Sequence, residues 1–111
     1  MNPYGYHDLT MIEAIQRKIA EGCSESSQQA VDRSIIRRIS VQEIREAIAG
    51  GEVIEDYPAD RRGPSCLAFG YTLARRPLHI HCSHPSRYLL KMITVYEPEA
   101  TRWKGYRVRG A

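Results

Sequence analysis

The hydrophobic pattern of this chain changes its period at a pair of glycines, Gly50 and Gly51. Before the pair, apolar residues recur every three or four positions, as they do on one face of an α-helix. After the pair, apolar and polar residues alternate over short segments, which is typical of β-strands. Helices followed by strands in this order favour an α+β domain, in which the helices pack together against a sheet.

Two of the three predicted helices begin with a capping box, at Thr10–Glu13 and at Ser40–Glu43. In this motif a hydroxyl accepts from an early backbone amide, and a Glu three positions later reaches back to the cap. The second of these helices is expected to end at the glycine pair, because glycine commonly terminates helices.

The helix between them is predicted from a weaker start at residues 26–29 and runs to about residue 38. Its apolar residues are spaced to line one face of the helix. That face holds Val31, Ile35 and Ile39, opposite a basic face with Arg33 and Arg37.

Four strands are predicted, each bounded by proline or glycine. The connections between them have hairpin length, so the sheet should be mainly antiparallel. With two to three helices packed on one face, the other face is expected to be partly open. The 111 residues suit a single domain. We expect a helical part at 8–50, a sheet part at 52–98 and a basic C-terminal tail at 99–111.

Charge is distributed unevenly along the chain. Residues 1–59 hold 6 Lys and Arg against 10 Asp and Glu, whereas residues 60–111 hold 10 against 3. A basic sheet half indicates an anionic partner, with RNA as the leading candidate, although a soluble domain with uneven solvated charge fits equally well. The apolar runs are too short to cross a bilayer and the N-terminus lacks signal-peptide features, so we predict a cytoplasmic protein with no membrane partner.

The three cysteines are Cys23, Cys66 and Cys82. They are odd in number and lack the Cys-x-x-Cys spacing of zinc ribbons, so reduced structural thiols are expected.

Four short motifs resemble a known bacterial family. Residues 40–103 are similar to the small domains called domain of unknown function 4258, in the segments 51–58 (GEVIEDYP), 62–67 (RGPSCL), 76–79 (RPLH) and 93–98 (ITVYEP). The resemblance implies a RelE-like fold and the toxin half of a toxin–antitoxin pair. It also implies mRNA cleavage without a metal or other cofactor, and a small partner antitoxin with a zinc-binding domain.

One position departs from that family's pattern. Members usually carry His-Ala-x-x-Arg in the second helix, whereas this chain has Gln29 at the His position and keeps Arg33. If the family His does chemistry, this protein is weakened or inactive. The substitution therefore favours an alternative function, a non-catalytic protein-binding module derived from such toxins.

Two histidines are the candidate catalytic residues. His79 and His81 are predicted to lie on the same side of a strand, opposite Leu78 and Ile80. Imidazole titrates near neutrality, so such a pair can supply the acid and the base that RNA cleavage requires. The alternative is a pair of strand histidines without a role. A third reading adds His84 to make a metal site, but no Cys or carboxylate lies on that strand face to complete a ligand set.

Cations and aromatic rings complete the predicted RNA site. Arginine and lysine can contact phosphate, and aromatic rings can stack on unpaired bases. The predicted phosphate contacts are Arg33, Arg62, Arg87, Lys91 and Arg102. The predicted stacking residues are Tyr96 and Trp103, while Tyr57 and Tyr71 are expected to pack the sheet instead. The oligomeric state is not determined by these patterns.

Overall fold

The computed structural model describes residues 9–26, 28–86 and 88–110. Within these ranges the chain forms three helices, a five-stranded sheet and a C-terminal two-stranded hairpin. None of the described helices is long and apolar enough to cross a bilayer. The elements are α1 (Met11–Ala20), β1 (Ser24–Ser26), α2 (Gln28–Arg37), α3 (Val41–Ala49), β2 (Glu52–Tyr57), β3 (Ser65–Tyr71), β4 (Pro77–Ser83), β5 (Leu90–Tyr96), β6 (Trp103–Lys104) and β7 (Val108–Arg109).

The large sheet has the strand order β1-β5-β4-β3-β2. Strands β2 to β5 pair antiparallel, and β1 joins β5 in parallel. The predicted α+β class and mainly antiparallel sheet are therefore confirmed, with five strands where four were expected. The missed strand is β1, which has only three residues, Ser-Glu-Ser. A short polar edge strand carries no apolar alternation, so its sequence gives no strand signal.

The core lies between the helices and one face of the sheet. α2 packs on β5, and α3 packs on β3. Cys66 and Cys82 oppose each other in the register of β3 and β4 and are fully buried in this core. Their sulfur atoms lie 3.9 Å apart without a disulfide. The contact with the Cys66 thiol, together with burial, raises the pKa of Cys82 well above its ordinary value.

Both predicted capping boxes form. The Thr10 and Ser40 hydroxyls each accept from the backbone amide of the Glu three residues later, and each Glu accepts in return from the cap amide. The pKa values of Glu13 and Glu43 are lowered mainly by these backbone hydrogen bonds.

Helix α3 approaches β3 more closely than a side chain would permit. A Cβ placed on Gly70 would lie 1.8 Å from the carbonyl oxygen of Ala47, which is backbone and has no flexible atom to move aside. Gly70 therefore sets the distance between this helix and the sheet.

The apolar stripe of α2 points away from the core. Ile35 is 70% exposed and Val31 is also exposed, so these side chains face solvent. Ala30 is buried instead, and the Arg37 guanidinium donates to the carbonyl of Val95 at 2.7 Å. Helical spacing reveals an apolar stripe but not the direction in which it points. Ile39, just beyond the helix, is buried.

Candidate functional site

The C-terminal segment covers part of the second sheet face. The predicted tail folds into the β6–β7 hairpin, whose turn includes Tyr106 in the left-handed region with φ +62°. Two arginines tie the hairpin to β2: Arg107 lies 2.5 Å from Glu52, and Arg109 lies 2.9 Å from Glu55. The face is therefore divided into a part beneath the hairpin and a part that stays open.

His79 lies beneath the hairpin and is 0% exposed. Its ring is edge-on to Trp103, with 4.4 Å between ring centroids. Nε2 lies 2.7 Å from the Tyr106 carbonyl oxygen, and Nδ1 lies 3.0 Å from the Tyr96 hydroxyl. Because a carbonyl only accepts, Nε2 donates to it and Nδ1 accepts from Tyr96. Burial lowers the pKa of His79, so the neutral imidazole joins the hairpin to the sheet.

His81 lies on the same face, two residues further along β4, and its side chain is 24% exposed. Its Nε2 is 2.9 Å from the Ser65 hydroxyl, and that hydroxyl is 2.6 Å from Asp60 Oδ2. The ring also meets Tyr57 edge-on. Burial lowers the pKa of His81, and the Asp60 carboxylate partly opposes that shift. A largely neutral imidazole at the protein surface is suited to accept a proton.

His81 borders an open cavity of about 370 Å³. We call this space the His81 cavity. Its lining combines tyrosine hydroxyls, a carboxylate, an imidazole and a guanidinium. The residues are Tyr57, Asp60, Leu67, His81, Thr94, Tyr96 and Arg109.

A larger cavity of about 820 Å³ adjoins it. The two share Tyr96 and Arg109, so they meet at these side chains. We call the larger space the arginine cavity, because four arginines line it. They are Arg37, Arg76, Arg102 and Arg109.

These arginines differ in how their charge is balanced. Arg76 contacts Glu43 at 3.1 Å and Glu97 at 2.7 Å, and these contacts raise its pKa. Arg102 is 77% exposed and contacts Glu99 at 3.2 Å, an arrangement that is weak in water. Within the described residues, Arg37 has no carboxylate partner and donates to a backbone carbonyl.

Arg109, which lines both cavities, is paired with Glu55 of β2. Arg109 makes a bidentate contact with Glu55, which raises the pKa of Arg109. Burial alone would raise the pKa of Glu55, but hydrogen bonds from Arg109 and Tyr57 outweigh it and lower that pKa. Burial and the hydrogen bond to Glu55 raise the pKa of Tyr57. Because the Arg109 guanidinium is already bound to Glu55, Arg37 and Arg102 are the cations best placed to bind an anion in the arginine cavity.

The predicted cations are only partly brought together. Among them, Arg102 lines a cavity. Arg33 is exposed on α2, and Arg62 is exposed in the β2–β3 loop. Lys91 is the second residue of β5 and pairs with Glu25 of the edge strand β1. Arg87 lies outside the described residues.

The two predicted stacking residues also separate. Tyr96 lines both cavities and is half-buried, so part of its ring faces the open surface. Trp103 is only 7% exposed and packs between His79 and the Arg109 guanidinium, which lies 4.8 Å from the ring centroid. In this arrangement Trp103 holds the hairpin in place.

The structure adds residues that the sequence patterns did not select. Asp60 and Ser65 contact each other and His81, and Arg37, Arg76 and Arg109 line the arginine cavity. The register of the β3–β4 hairpin explains why Ser65 lies near His81. In that hairpin Leu67 pairs with His81, so Ser65, two residues earlier in β3, is the diagonal neighbour of His81.

The three histidines of the alternative metal-binding interpretation contact different partners. His79 bonds Tyr96 and Tyr106, His81 bonds Ser65, and His84 contacts Asp56 at 2.6 Å. Among the described residues, no three His, Cys, Asp or Glu side chains are placed to hold a metal ion. The metal-binding reading thus gains no support from this part of the chain.

Comparison with known proteins gives one match. The family model described as domain of unknown function (DUF4258) matches residues 27–97. The chain belongs to this family. The matched segment contains His79, His81 and Ser65 and ends before the hairpin that covers His79. No curated protein and no solved structure matches the chain.

Proposed function

We propose that this DUF4258 domain binds single-stranded RNA and cleaves it without a metal ion, as the toxin of a toxin–antitoxin pair with a RelE-like fold. The observation that carries the proposal is that the cavity bordered by His81 joins, at Tyr96 and Arg109, a second cavity lined by four arginines. RNA cleavage needs a base at the 2′-hydroxyl and cations at the phosphate, and groups of both kinds line these two adjoining cavities.

The reaction assigned to this site is an internal transesterification. His81 takes the proton of the 2′-hydroxyl, the 2′-oxygen attacks phosphorus, and the bond to the 5′-oxygen breaks. The leaving oxygen takes a proton from water. Arg37 and Arg102 stabilise the charge on the phosphate oxygens. The products are a 2′,3′-cyclic phosphate and a 5′-hydroxyl end.

His79 takes a different part from the one the sequence suggested. Its ring is buried and both nitrogens are occupied by Tyr96 and Tyr106. We therefore assign proton transfer to His81 alone and give His79 the task of holding Tyr96 and the hairpin.

Cleavage of a mixed single-stranded RNA in EDTA tests the proposal. Replacing His81 with Gln should slow cleavage by about 100-fold or more, the usual contribution of a general base. The matched control is His84→Gln, because His84 lines neither cavity and should leave the rate within about threefold of wild type.

Each outcome decides between readings. Cleavage that is unchanged in His81→Gln would contradict the assignment. A folded wild-type protein that binds RNA but leaves it intact, with no cyclic phosphate ends, would favour a degenerate binding module and direct attention to Gln29.

A second candidate function, a protein-binding module, is favoured by α2. This helix turns Ile35 and Ile36 to solvent, and Val41 at the start of α3 is exposed nearby in the chain. Neighbouring exposed apolar side chains of this kind commonly mark contact surfaces. In a toxin–antitoxin pair, the small zinc-binding antitoxin would be the protein that covers them.

Co-purification with that antitoxin tests the second function. The double variant Ile35→Asp/Ile36→Asp should lose the complex, whereas Leu73→Asp, equally exposed but remote in the chain, should keep it. An apolar interface should also survive salt that dissociates RNA. A complex that forms unchanged with the double variant would remove α2 from the interface.

A further inference from the structure

The hydrogen-bond chain Asp60–Ser65–His81 has a fixed direction. Asp60 is ionised at neutral pH, because hydrogen bonds from the Ser65 hydroxyl and the Arg62 amide lower its pKa. A carboxylate only accepts, so the Ser65 hydroxyl must donate to Oδ2 across the 2.6 Å contact. That distance is typical of a charge-assisted O–H···O⁻ bond.

The direction of the first bond decides the second. A hydroxyl has one proton, and that of Ser65 is directed at Asp60. Its oxygen can therefore only accept from His81 Nε2, 2.9 Å away. Neutral His81 must carry its proton on Nε2, which leaves a lone pair on Nδ1. Within the described residues, Nδ1 has no hydrogen-bond partner.

This order differs from a nucleophilic serine site. In a Ser-His-Asp triad the histidine accepts the serine proton and the aspartate holds the other ring nitrogen. Here Ser65 lies between His81 and Asp60, and its hydroxyl donates a hydrogen bond to the aspartate. Ser65 is also 0% exposed, so no substrate atom reaches its oxygen. Its contacts match a residue that orients a base.

The backbone around Ser65 and Asp60 fixes the positions of these two side chains. Ser65 opens β3 and is paired with Ser83 of β4, so its backbone belongs to the sheet. Asp60 is anchored in the β2–β3 loop, where its second carboxylate oxygen accepts from the Arg62 amide at 3.2 Å. The same loop turns at Gly63, whose φ of +106° suits glycine.

We propose that Asp60 and Ser65 are positioning residues that hold His81 as its Nε2–H tautomer, so that Nδ1 is the atom that accepts the 2′-hydroxyl proton. The assignment of Nδ1 as the base rests on the proposed ribonuclease function. The tautomer itself follows from the three side chains and does not depend on RNA.

The test is ¹⁵N NMR of the imidazole rings in the RNA-free protein, because the protonated and bare ring nitrogens have distinct chemical shifts. In wild type at pH 8, His81 should show the proton on Nε2. In Ser65→Ala this preference should disappear and both tautomers should be populated. Asp60→Asn provides a second variant that keeps the Ser65 hydroxyl, and its tautomer preference should also weaken.

RNA cleavage by the same variants separates the two proposals. Ser65→Ala should slow cleavage by about tenfold, because the imidazole loses its fixed orientation as well as its fixed tautomer, and this loss is smaller than that from removal of the base itself. A wild-type protein with the Nε2–H tautomer and no cleavage would support the positioning role of Asp60 and Ser65 and reject the proposed function. Wild-type His81 with its proton on Nδ1, or an unchanged tautomer in both variants, would overturn that positioning role even if RNA is cleaved.

Discussion

At the scale of the residue, two histidines two positions apart have opposite surroundings. The sequence places both on one strand face, and the structure agrees, since His79 pairs with Phe69 and His81 with Leu67 in the register of the sheet. What separates them is a hairpin more than twenty residues later, which buries one and leaves the other at a cavity. Strand alternation predicts the face, but only packing decides the exposure.

The buried histidine should make stability depend on pH. Burial lowers the pKa of His79 below its ordinary value of 6.5, so between that value and the folded pKa the unfolded chain binds more protons. The free energy of unfolding should therefore fall as pH is lowered from 7 to 5. Urea titrations of wild type and His79→Gln measure the effect.

The variant is chosen because glutamine can still donate to the Tyr106 carbonyl and accept from Tyr96 but does not titrate. Its slope against pH should be shallower than that of wild type. His81 retains its own lowered pKa, so part of the slope should remain. Equal slopes in the two proteins would contradict the assignment to His79.

Gly70 offers a second prediction at this scale. A Cβ there would lie 1.8 Å from the Ala47 carbonyl oxygen, so Gly70→Ala should push α3 from the sheet and cost about 3 kcal/mol or more. Gly50→Ala is the matched control, because nothing lies within 4 Å of its added Cβ. That change should stay within about 0.5 kcal/mol in urea unfolding. Similar values for the two variants would contradict the close helix–sheet contact.

At the scale of the element, α2 is the clearest divergence between pattern and packing. The sequence indicates a helix and an apolar stripe, and both are present. The stripe faces solvent because the side of α2 that carries the small Ala30 packs on the sheet. In this orientation the Arg37 guanidinium donates to the Val95 carbonyl. An outward stripe is a cost to solubility unless something covers it, which is why the helix supports a protein partner.

Two isoleucines near each other in the chain test this orientation. Ile39→Ala should cost about 2 to 4 kcal/mol, because Ile39 lies in the core cluster. Ile35→Ala should change stability by less than about 0.5 kcal/mol, because its side chain is already in water. Thermal or urea unfolding compares them directly. Comparable losses would show that the stripe is packed inward after all.

At the scale of the whole molecule, charge and topology combine at one surface. The basic excess of the second half of the sequence does not form a uniform patch, because Glu52, Glu55 and Glu97 contact three of its arginines. In the arginine cavity, Arg76 and Arg109 are among these paired residues, whereas Arg102 keeps only an exposed contact with Glu99. Arg37, which the acidic first half contributes, donates to a backbone carbonyl there. Net charge describes the whole sequence, whereas folding decides which cations stay available at one surface.

RNA affinity should report which cations touch phosphate. Each phosphate contact to a single strand contributes about 0.7 to the slope of log affinity against log salt. Arg102→Ala should therefore reduce the slope by about that amount, whereas Arg33→Ala, on the exposed side of α2, should leave it unchanged. Fluorescence anisotropy over a salt series measures both. Equal reductions would mean that RNA contacts a wider surface than the arginine cavity.

The sequence by itself determined the order of the three helices and of the four long strands β2 to β5, because capping boxes, glycine stops and the period of apolar residues are local signals. It also determined the shared strand face of His79 and His81, since alternation is a property of the strand backbone. Its family motifs pointed to the family that the match over residues 27–97 shows.

Only the tertiary structure decided the rest. Strand β1 forms because it pairs with the edge of β5. The apolar stripe on α2 faces solvent because the opposite side of the helix, with Ala30, packs on the sheet. The β6–β7 hairpin covers one part of the open sheet face and leaves the other part exposed. The contact of Asp60 with Ser65 and His81 joins a loop and two strands. Such a contact depends on register and packing between distant segments, which no local pattern of residues specifies.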